Sequence, residues 1–229
     1  MKLDHAVWFT KHSPANIAAQ NDGAVVGGRH EQWGTYNTLK YMTNGYIEWL
    51  AVEDEERARQ SGHPLVRQLL HDLEEYGEGW GTLCFSTDDI AELDGRLRAL
   101  GLMTSGVMDA SRKTSAGVLK KWKMLFVEEA GWNDLPFPFF IQWEDDEATR
   151  LAALREEGTI RDVNESERIT ECVLAAADPA AALKRWGSLL GAEPGADDDF
   201  TVSGVRFRFA ASADGKNRMT DVATGQTGA

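Results

Sequence analysis

The feature that most constrains this chain is an order of elements that recurs. KLDHAVWFT has the residues of a strand, HSPANIAAQN opens on a Ser-Pro helix start and runs into glycines, and YNTLKYM and YIEWLAV follow, joined by Thr43-Asn44-Gly45. Asn-Gly between two strand-like runs is the strongest short-range hairpin signal. GTLCFSTDDIAELDGRLRALG repeats the opening: a strand, an Asp-capped helix with Ile90, Leu93, Leu97 and Leu100 on one stripe, and a terminating glycine. VLKKWKMLFV and PFPFFIQWE then supply strands. A third copy starts at ITECVLAAADPAAALKRWGSLLG, where Asp178 caps, Pro179 takes the first helical position and Gly191 ends the helix; DFTVSGVRFRF is its hairpin. A repeated unit decides the fold more than any local motif does. This one reads βαβββ, so the expected class is α+β.

The expected organisation is a first module over 1–53, a linker helix over 54–79, a second module over 80–145, a linker helix over 146–167 and a partial third module over 168–212. HPLVRQLLHDLEEY places Leu65, Leu69, Leu70 and Leu73 at helical spacing, which predicts an amphipathic helix packed on the outside. EDDEATRLAALREEG reads as a charged helix of the same kind. The tail over 213–229 is rich in Gly, Ser, Thr and Asp and is expected to be disordered.

Charge excludes some partners. With 37 acidic against 24 basic residues the formal charge is −13, which repels nucleic acid and anionic membranes. MKLDHAVWF lacks the basic start and apolar stretch of a signal peptide, and no run approaches a membrane span, so a cytoplasmic, unprocessed chain is expected. Cys84 and Cys172 lie inside apolar strand-like runs, where thiols behave as small buried hydrophobes.

GGRHEQWGTYN (27–37) looks at first like a phosphate cradle, but it lacks the GxGxxG and GxxxxGK[ST] spacings, and a strand rather than a helix follows. Together with the repeated βαβββ units, LDH on the first strand and IEWL after the first hairpin, the chain resembles the vicinal oxygen chelate superfamily of glyoxalase I, extradiol dioxygenases and bleomycin-resistance proteins. GGRHEQWGTYN, SRKTSAGVLKKWKMLF and LPFPFFIQWE are similar, more narrowly, to the glyoxalase-like domain family. That resemblance implies paired βαβββ modules whose curved mixed sheets enclose a cleft. It also implies a divalent metal held by inward-facing residues on the first and fourth strand of each module. Carried onto this sequence, the metal positions are His5, Glu48 and Glu144, while Gly81 or Thr82 stands where a fourth ligand often sits.

Strand alternation puts Leu3, His5, Val7 and Phe9 on one face, Tyr46, Glu48 and Leu50 on another, and Phe140, Gln142 and Glu144 on a third. A glutamate on an apolar face costs several kcal/mol unless it is paired or coordinated, so Glu48 needs a partner. A His/Glu/Glu set suits Zn²⁺, Mn²⁺, Ni²⁺ or Fe²⁺. With one strand histidine it favours Lewis-acid lyase or isomerase chemistry, Glu48 and Glu144 serving as catalytic proton shuttles, over dioxygenase chemistry. The rival reading is a metal-free small-molecule binding or sequestration protein, which leaves room for a homodimer. In the first reading the expected ligand is a small anionic oxygenated metabolite. Trp33, Tyr36, Tyr46, Trp122, Phe140 and Trp143 supply stacking surface. Arg112, Lys113, Lys120, Lys121 and Lys123 form a basic rim answered by Arg29-His30 in the first module. The substrate-binding set is thus Arg29, His30, Asn37, Arg112, Trp122 and Gln142. His12, His63 and His71 receive no role.

Overall fold

A computed structural model describes residues 1–113, 119–128 and 135–227, with the Lys113 side chain and residues 114–118 of the SRKTSAGVLKKW run outside that set. The first module contains β1 (Lys2–Thr10), α1 (Pro14–Gln20), β2 (Val25–His30), β3 (Thr35–Met42) and β4 (Gly45–Val52). α2 (Glu55–Gln60) and α3 (Pro64–Glu75) lead to the second, which contains β5 (Gly79–Ser86), α4 (Ile90–Ala99), β6 (Met108–Lys113), β7 (Leu119–Leu125) and β8 (Phe139–Trp143). After α5 (Glu147–Glu156) come β9 (Glu167–Ala176), α6 (Pro179–Leu190), β10 (Asp199–Val202), β11 (Val205–Ala211) and β12 (Arg218–Gln226).

The sheets of the first two modules close into one eight-stranded barrel in the order β1-β4-β3-β2-β6-β7-β8-β5. Each module pairs its first strand parallel to its last, β1 with β4 and β5 with β8, and the two first strands join antiparallel. At the other junction, between β2 and β6, the register is Arg29 opposite Lys113. The hairpin turn does a second job: the Asn44 side chain accepts from Ile169 N at 2.9 Å and donates to Ile169 O at 2.8 Å, pinning β9 to the barrel.

The third unit is a module lacking one strand. β9 pairs parallel with β11, as β1 does with β4, and β11 pairs antiparallel with β10. β12 then lies antiparallel to β9, the place β5 holds beside β1. The tail expected to be disordered therefore supplies a strand, because Met219 and Val222 bury against β9 while the polar residues between them face out. Its core merges with the outer wall of the barrel, where Phe85 meets Phe207 at 5.4 Å.

α3 also departs from expectation. Leu65, Leu69 and Leu73 point into the barrel and pack with Val7, Phe9 and Leu50, so the helix plugs one end instead of lying outside. The end of the barrel interior lined by Val7, Phe9 and Leu50 is apolar and needs covering, and this leucine stripe covers it.

Candidate functional site

A β-bulge builds the centre of the site. Leu3 faces Phe85 and His5 faces Cys84, which leaves Asp4 as the extra residue on β1. Bulges re-aim side chains. Here the bulge sends Leu3 into the outer core, breaking the expected Leu3/His5/Val7/Phe9 face, and sets Asp4 beside His5. Asp4 Oδ1 lies 2.8 Å from His5 Nδ1, and His5 Nε2 lies 3.3 Å from Glu48 Oε2. Glu48 reaches His5 because β4 runs parallel to β1 with Glu48 level with Val7 on the same inward face. Asn37 on β3 donates to Glu48 Oε1 at 2.6 Å, and Trp143 Nε1 donates to Asp4 Oδ2 at 2.9 Å. Arg150 from α5 stands 3.8 Å from Asp4.

The result is an alternating row of buried charges, Arg150, Asp4, His5 and Glu48. Burial alone drives both carboxylates toward the protonated form, but the contact with His5 outweighs it and holds Asp4 and Glu48 below the ordinary carboxylate values. Burial likewise pulls His5 down, and Cys84, Asp4 and Glu48 together reverse this, raising it well above an ordinary histidine. Burial lifts the Cys84 thiol to about 12, which leaves it neutral at pH 7, so the two carboxylates are the lasting cause. Tyr46 stacks on the His5 ring at 4.4 Å and Tyr41 on Tyr46 at 4.7 Å.

Of these groups His5, Glu48, Tyr41 and Tyr46 open onto a cavity of about 50 Å³ inside the barrel. At roughly 10–15 Å³ of such space per water, that holds three to five waters, or a small organic molecule in their place. His30, Asn37, Glu48 and Tyr46 come from the first module; Trp122, Met124, Phe139, Ile141 and Trp143 come from the second, with Arg112 at the edge. The glycine pair that opened the motif is explained here: a Cβ on Gly27 falls 2.0 Å from Asn37 Oδ1, and one on Gly28 falls 2.5 Å from Arg112 Nη1. Gly28 N donates to Asn37 Oδ1 at 2.8 Å, so the pair fixes the amide that holds Glu48.

Three of the sequence-derived site residues lie elsewhere. On β8 the inward phase is Phe139, Ile141 and Trp143, one residue out of step with the expected Phe140, Gln142 and Glu144. Such a slip exchanges the faces of a whole strand. Glu144 is therefore on the surface, 3.4 Å from Lys121 Nζ. Gln142 anchors α4 from outside, accepting from Ile90 N at 3.1 Å and donating to Asp88 O at 2.7 Å. Arg29 is exposed and paired with Glu53 at 2.8 Å. Tyr36 lines an outer groove, and Phe140 belongs to the outer core.

The structure also adds a residue. His63, which precedes α3, is 3 % exposed, lines the cavity and stacks on Trp33 at 4.1 Å. Both its ring nitrogens lack a hydrogen-bond partner among the described residues. Burial, with His30 and Arg67 adding to it, holds His63 at about 3. Burial and Arg112 hold His30 at about 4 against the pull of Glu48. Both rings are neutral at pH 7. The sequence signal for His63 is weak, since His-Pro before a leucine stripe marks a helix start and says nothing of what the helix plugs.

A divalent metal is the remaining expectation to test. Asp4, His5 and Cys84 bring one donor atom each within 4.8 Å of one another. Each ring nitrogen of His5 already has a carboxylate partner, which favours imidazolium over a ligating ring. With Glu144 outside, the second module offers the metal positions only Thr82, Cys84, Phe139 and Ile141. The strand positions the resemblance implied thus hold one histidine and one carboxylate, whereas the donors that do converge, Asp4, His5 and Cys84, number the three protein ligands such centres use, with the thiol held neutral by burial and His5 engaged by both carboxylates. As folded, these donors form a charge-paired polar centre, and Asp4, His5 and Cys84 are the residues that would hold a divalent ion there.

A barrel of paired βαβββ modules around an enclosed polar site defines a glyoxalase-type fold. Residues 3–190 match the family described as glyoxalase-like domain, and the chain belongs to that family. It is similar along its whole length to a crystal structure of a hypothetical protein from Staphylococcus aureus, at 21% identity and a TM-score of 0.87, covering 92% of that chain. Methylmalonyl-CoA epimerase from Mycobacterium tuberculosis overlays on 66% of this chain and 91% of its own at 18% identity, with a TM-score of 0.41. The Streptomyces coelicolor epimerase in complex with 2-nitronate-propionyl-CoA overlays on 63% of this chain and 99% of its own at 17% identity, with a TM-score of 0.43. No curated protein sequence matches the chain. Among the described residues no helix is long and apolar enough to cross a membrane.

Proposed function

We propose that this protein binds a small oxygenated anion in the barrel cavity, without a resident metal. The observation that carries the reading is convergence: Glu48, Asn37, His30, His63 and Arg112 all border one aromatic-walled space. Pockets of this kind use a few placed polar groups for orientation and apolar walls for affinity. Arg112 has no ion-pair partner among the described residues, so its guanidinium is free to meet a carboxylate or phosphate. Calorimetry against a panel of small hydroxy and keto acids, run with chelator present, tests this. Binding by the wild type, weakened at least tenfold in Arg112→Ala, is expected; silence across the panel overturns the reading.

A second reading, proton transfer of the isomerase or lyase kind, draws support from His63. Glu48 is a poor base, because both its oxygens are engaged and its acidity is enhanced. His63 is a neutral imidazole with both nitrogens open, and an anion bound beside it raises its basicity toward the working range. In this step His63 takes a proton from the carbon beside a carbonyl and returns it to that carbon or its neighbour. Deuterium incorporation from D₂O into a bound keto acid, lost in His63→Gln while binding persists, is the expected result. No incorporation into any bound acid leaves binding alone.

A further inference from the structure

A second, smaller space of about 20 Å³ adjoins the cavity and shares Tyr41, Trp143 and Arg112 with it. At roughly 10–15 Å³ per water it holds one or two waters, the room a single carboxylate or phosphate group takes on displacing them. Its inner wall is Arg150, 8 % exposed, whose guanidinium lies 4.6 Å over the Trp143 ring. Arg150 Nε and Nη1 have no hydrogen-bond partner among the described residues, and Nη2 stands 3.8 Å from Asp4, beyond hydrogen-bond reach. A buried donor with no acceptor is costly, and native proteins rarely leave one so. Lys120 and Lys121 also border the annex but are held by Glu157 at 3.0 Å and Glu144 at 3.4 Å, and Asp145 is the acidic residue on its lining. Among the described residues of its lining, Arg150 and Arg112 are thus the two cations with capacity to spare.

We propose that this annex is the anion subsite of the cavity: Arg150 from within and Arg112 from the barrel edge hold the acidic head of the ligand, whose body passes between Tyr41 and Trp143 toward Glu48. The assignment rests on the reading of the cavity as a binding site for a small oxygenated anion, and deepens it. An arginine fork in a desolvated pocket recognises planar carboxylate or tetrahedral phosphate oxygens in a way lysine does not. The Trp143 ring orders that fork, and Trp143 donates to Asp4, so the subsite is tied to the charge row that ends at Glu48.

The test uses the full chain labelled with ¹⁵N-arginine, titrated separately with inorganic phosphate and with acetate. The Arg150 Nε–H resonance should shift saturably, and the anion that saturates it at lower concentration identifies the head. Arg150→Lys keeps the charge beside Asp4 while losing the fork, and should weaken that anion at least tenfold. Arg112→Gln, on a residue without an ion pair among the described residues, should weaken it severalfold and guards against misfolding of the first variant. An unmoved Arg150 resonance with both anions, or equal affinity in wild type and both variants, overturns the subsite. If organic acids bind wild type and Arg150→Lys alike, the subsite fails and the cavity reading stands. If phosphate or acetate binds at Arg150 but no hydroxy or keto acid binds more tightly, the subsite stands and the cavity reading fails.

Discussion

The two modules that close the barrel share a topology and differ in what they turn inward. Beside Val7 on β1 the parallel strand β4 presents Glu48; beside Cys84 on β5 the parallel strand β8 presents Phe139. The first module gives the cavity His5, His30, Asn37 and Glu48, whereas the second gives mostly tryptophan, phenylalanine, methionine and isoleucine. The same scaffold thus carries a polar half and an apolar half. For a ligand bound as proposed, the acidic head would lie toward Arg150 and Arg112, the remaining oxygens toward the polar groups of the first module and the carbon skeleton against the apolar wall of the second. The candidate metal donors are shared unevenly as well, Asp4 and His5 coming from the first module and Cys84 from the second.

The comparison breaks most severely if the polar half loses one member of its charge row. Glu48→Ala leaves His5 and Asp4 with an uncompensated buried charge, and breaking such a pair costs about 3–5 kcal/mol. Urea unfolding at pH 7 should show a loss of that size. Ile141→Leu on the other side keeps the volume and removes no charge, and should cost no more than about 1.5 kcal/mol, the usual range for a volume-conserving hydrophobic change. Equal losses would mean that the two halves contribute to stability in the same way.

Acid should act through the polar half as well. His30 and His63 are held at about 4 and about 3 in the folded chain, below the ordinary histidine value of 6.5. A base with a depressed folded value lets the unfolded chain bind protons first, so stability falls as pH drops from 6.5 toward those values. At about 1.4 kcal/mol per unit, each ring withdraws on the order of 3 kcal/mol by pH 4. Asp4 and Glu48 work in the same direction lower down, because their folded values are depressed and their stabilisation goes only as pH falls through those values. His5 has the opposite sign: its folded value is raised, so its contribution is complete below the ordinary histidine value and is lost as pH rises through the folded one. His63→Phe should flatten the acid limb between pH 6.5 and 4, and an unchanged slope would remove His63 from the account.

A gentler probe of the same asymmetry is metal. Zn²⁺ or Mn²⁺ added to the chelator-treated chain should show no stoichiometric site by calorimetry, and His5→Ala should not change that result. A one-to-one site lost in His5→Ala would restore a metal centre on the polar half.

What was legible in the sequence was whatever depended on local pattern. The repeat, the Asn-Gly hairpin and the helix caps are written in neighbouring residues, and they gave the class and the module order. His5 and Glu48 stood out because a charged residue inside an apolar run is costly enough to need a reason. The inward phase of β8 was not legible: in FPFFIQWE both faces are buried or half-buried, so alternation carries no sign of which one turns inward. The Asp4 bulge, the plug formed by α3 and the place of Arg150 come from contacts between distant segments. The β12 strand was hidden by composition, because two buried residues, Met219 and Val222, suffice to seat it on β9.

The smallest predicted effect is the one that best separates face from cavity. Arg29, Gln142 and Glu144 have the residue types of a binding site but lie on the outside of the barrel. Arg29 is 69 % exposed at its side chain and meets Glu53; Glu144 is 60 % exposed and meets Lys121. Exposed pairs contribute about 0–1 kcal/mol, screened by salt. Arg29→Ala and Glu144→Ala should therefore move the urea midpoint slightly, within about 0.5 kcal/mol, and should leave the affinity for a bound acid unchanged within twofold. Arg112→Ala has the same chemistry of change, one arginine removed, yet it alters the edge of the cavity and should weaken that acid at least tenfold. If Arg29→Ala matched Arg112→Ala, the ligand would sit on the outer groove by Tyr36, and the polar half of the barrel would lose its claim to the site.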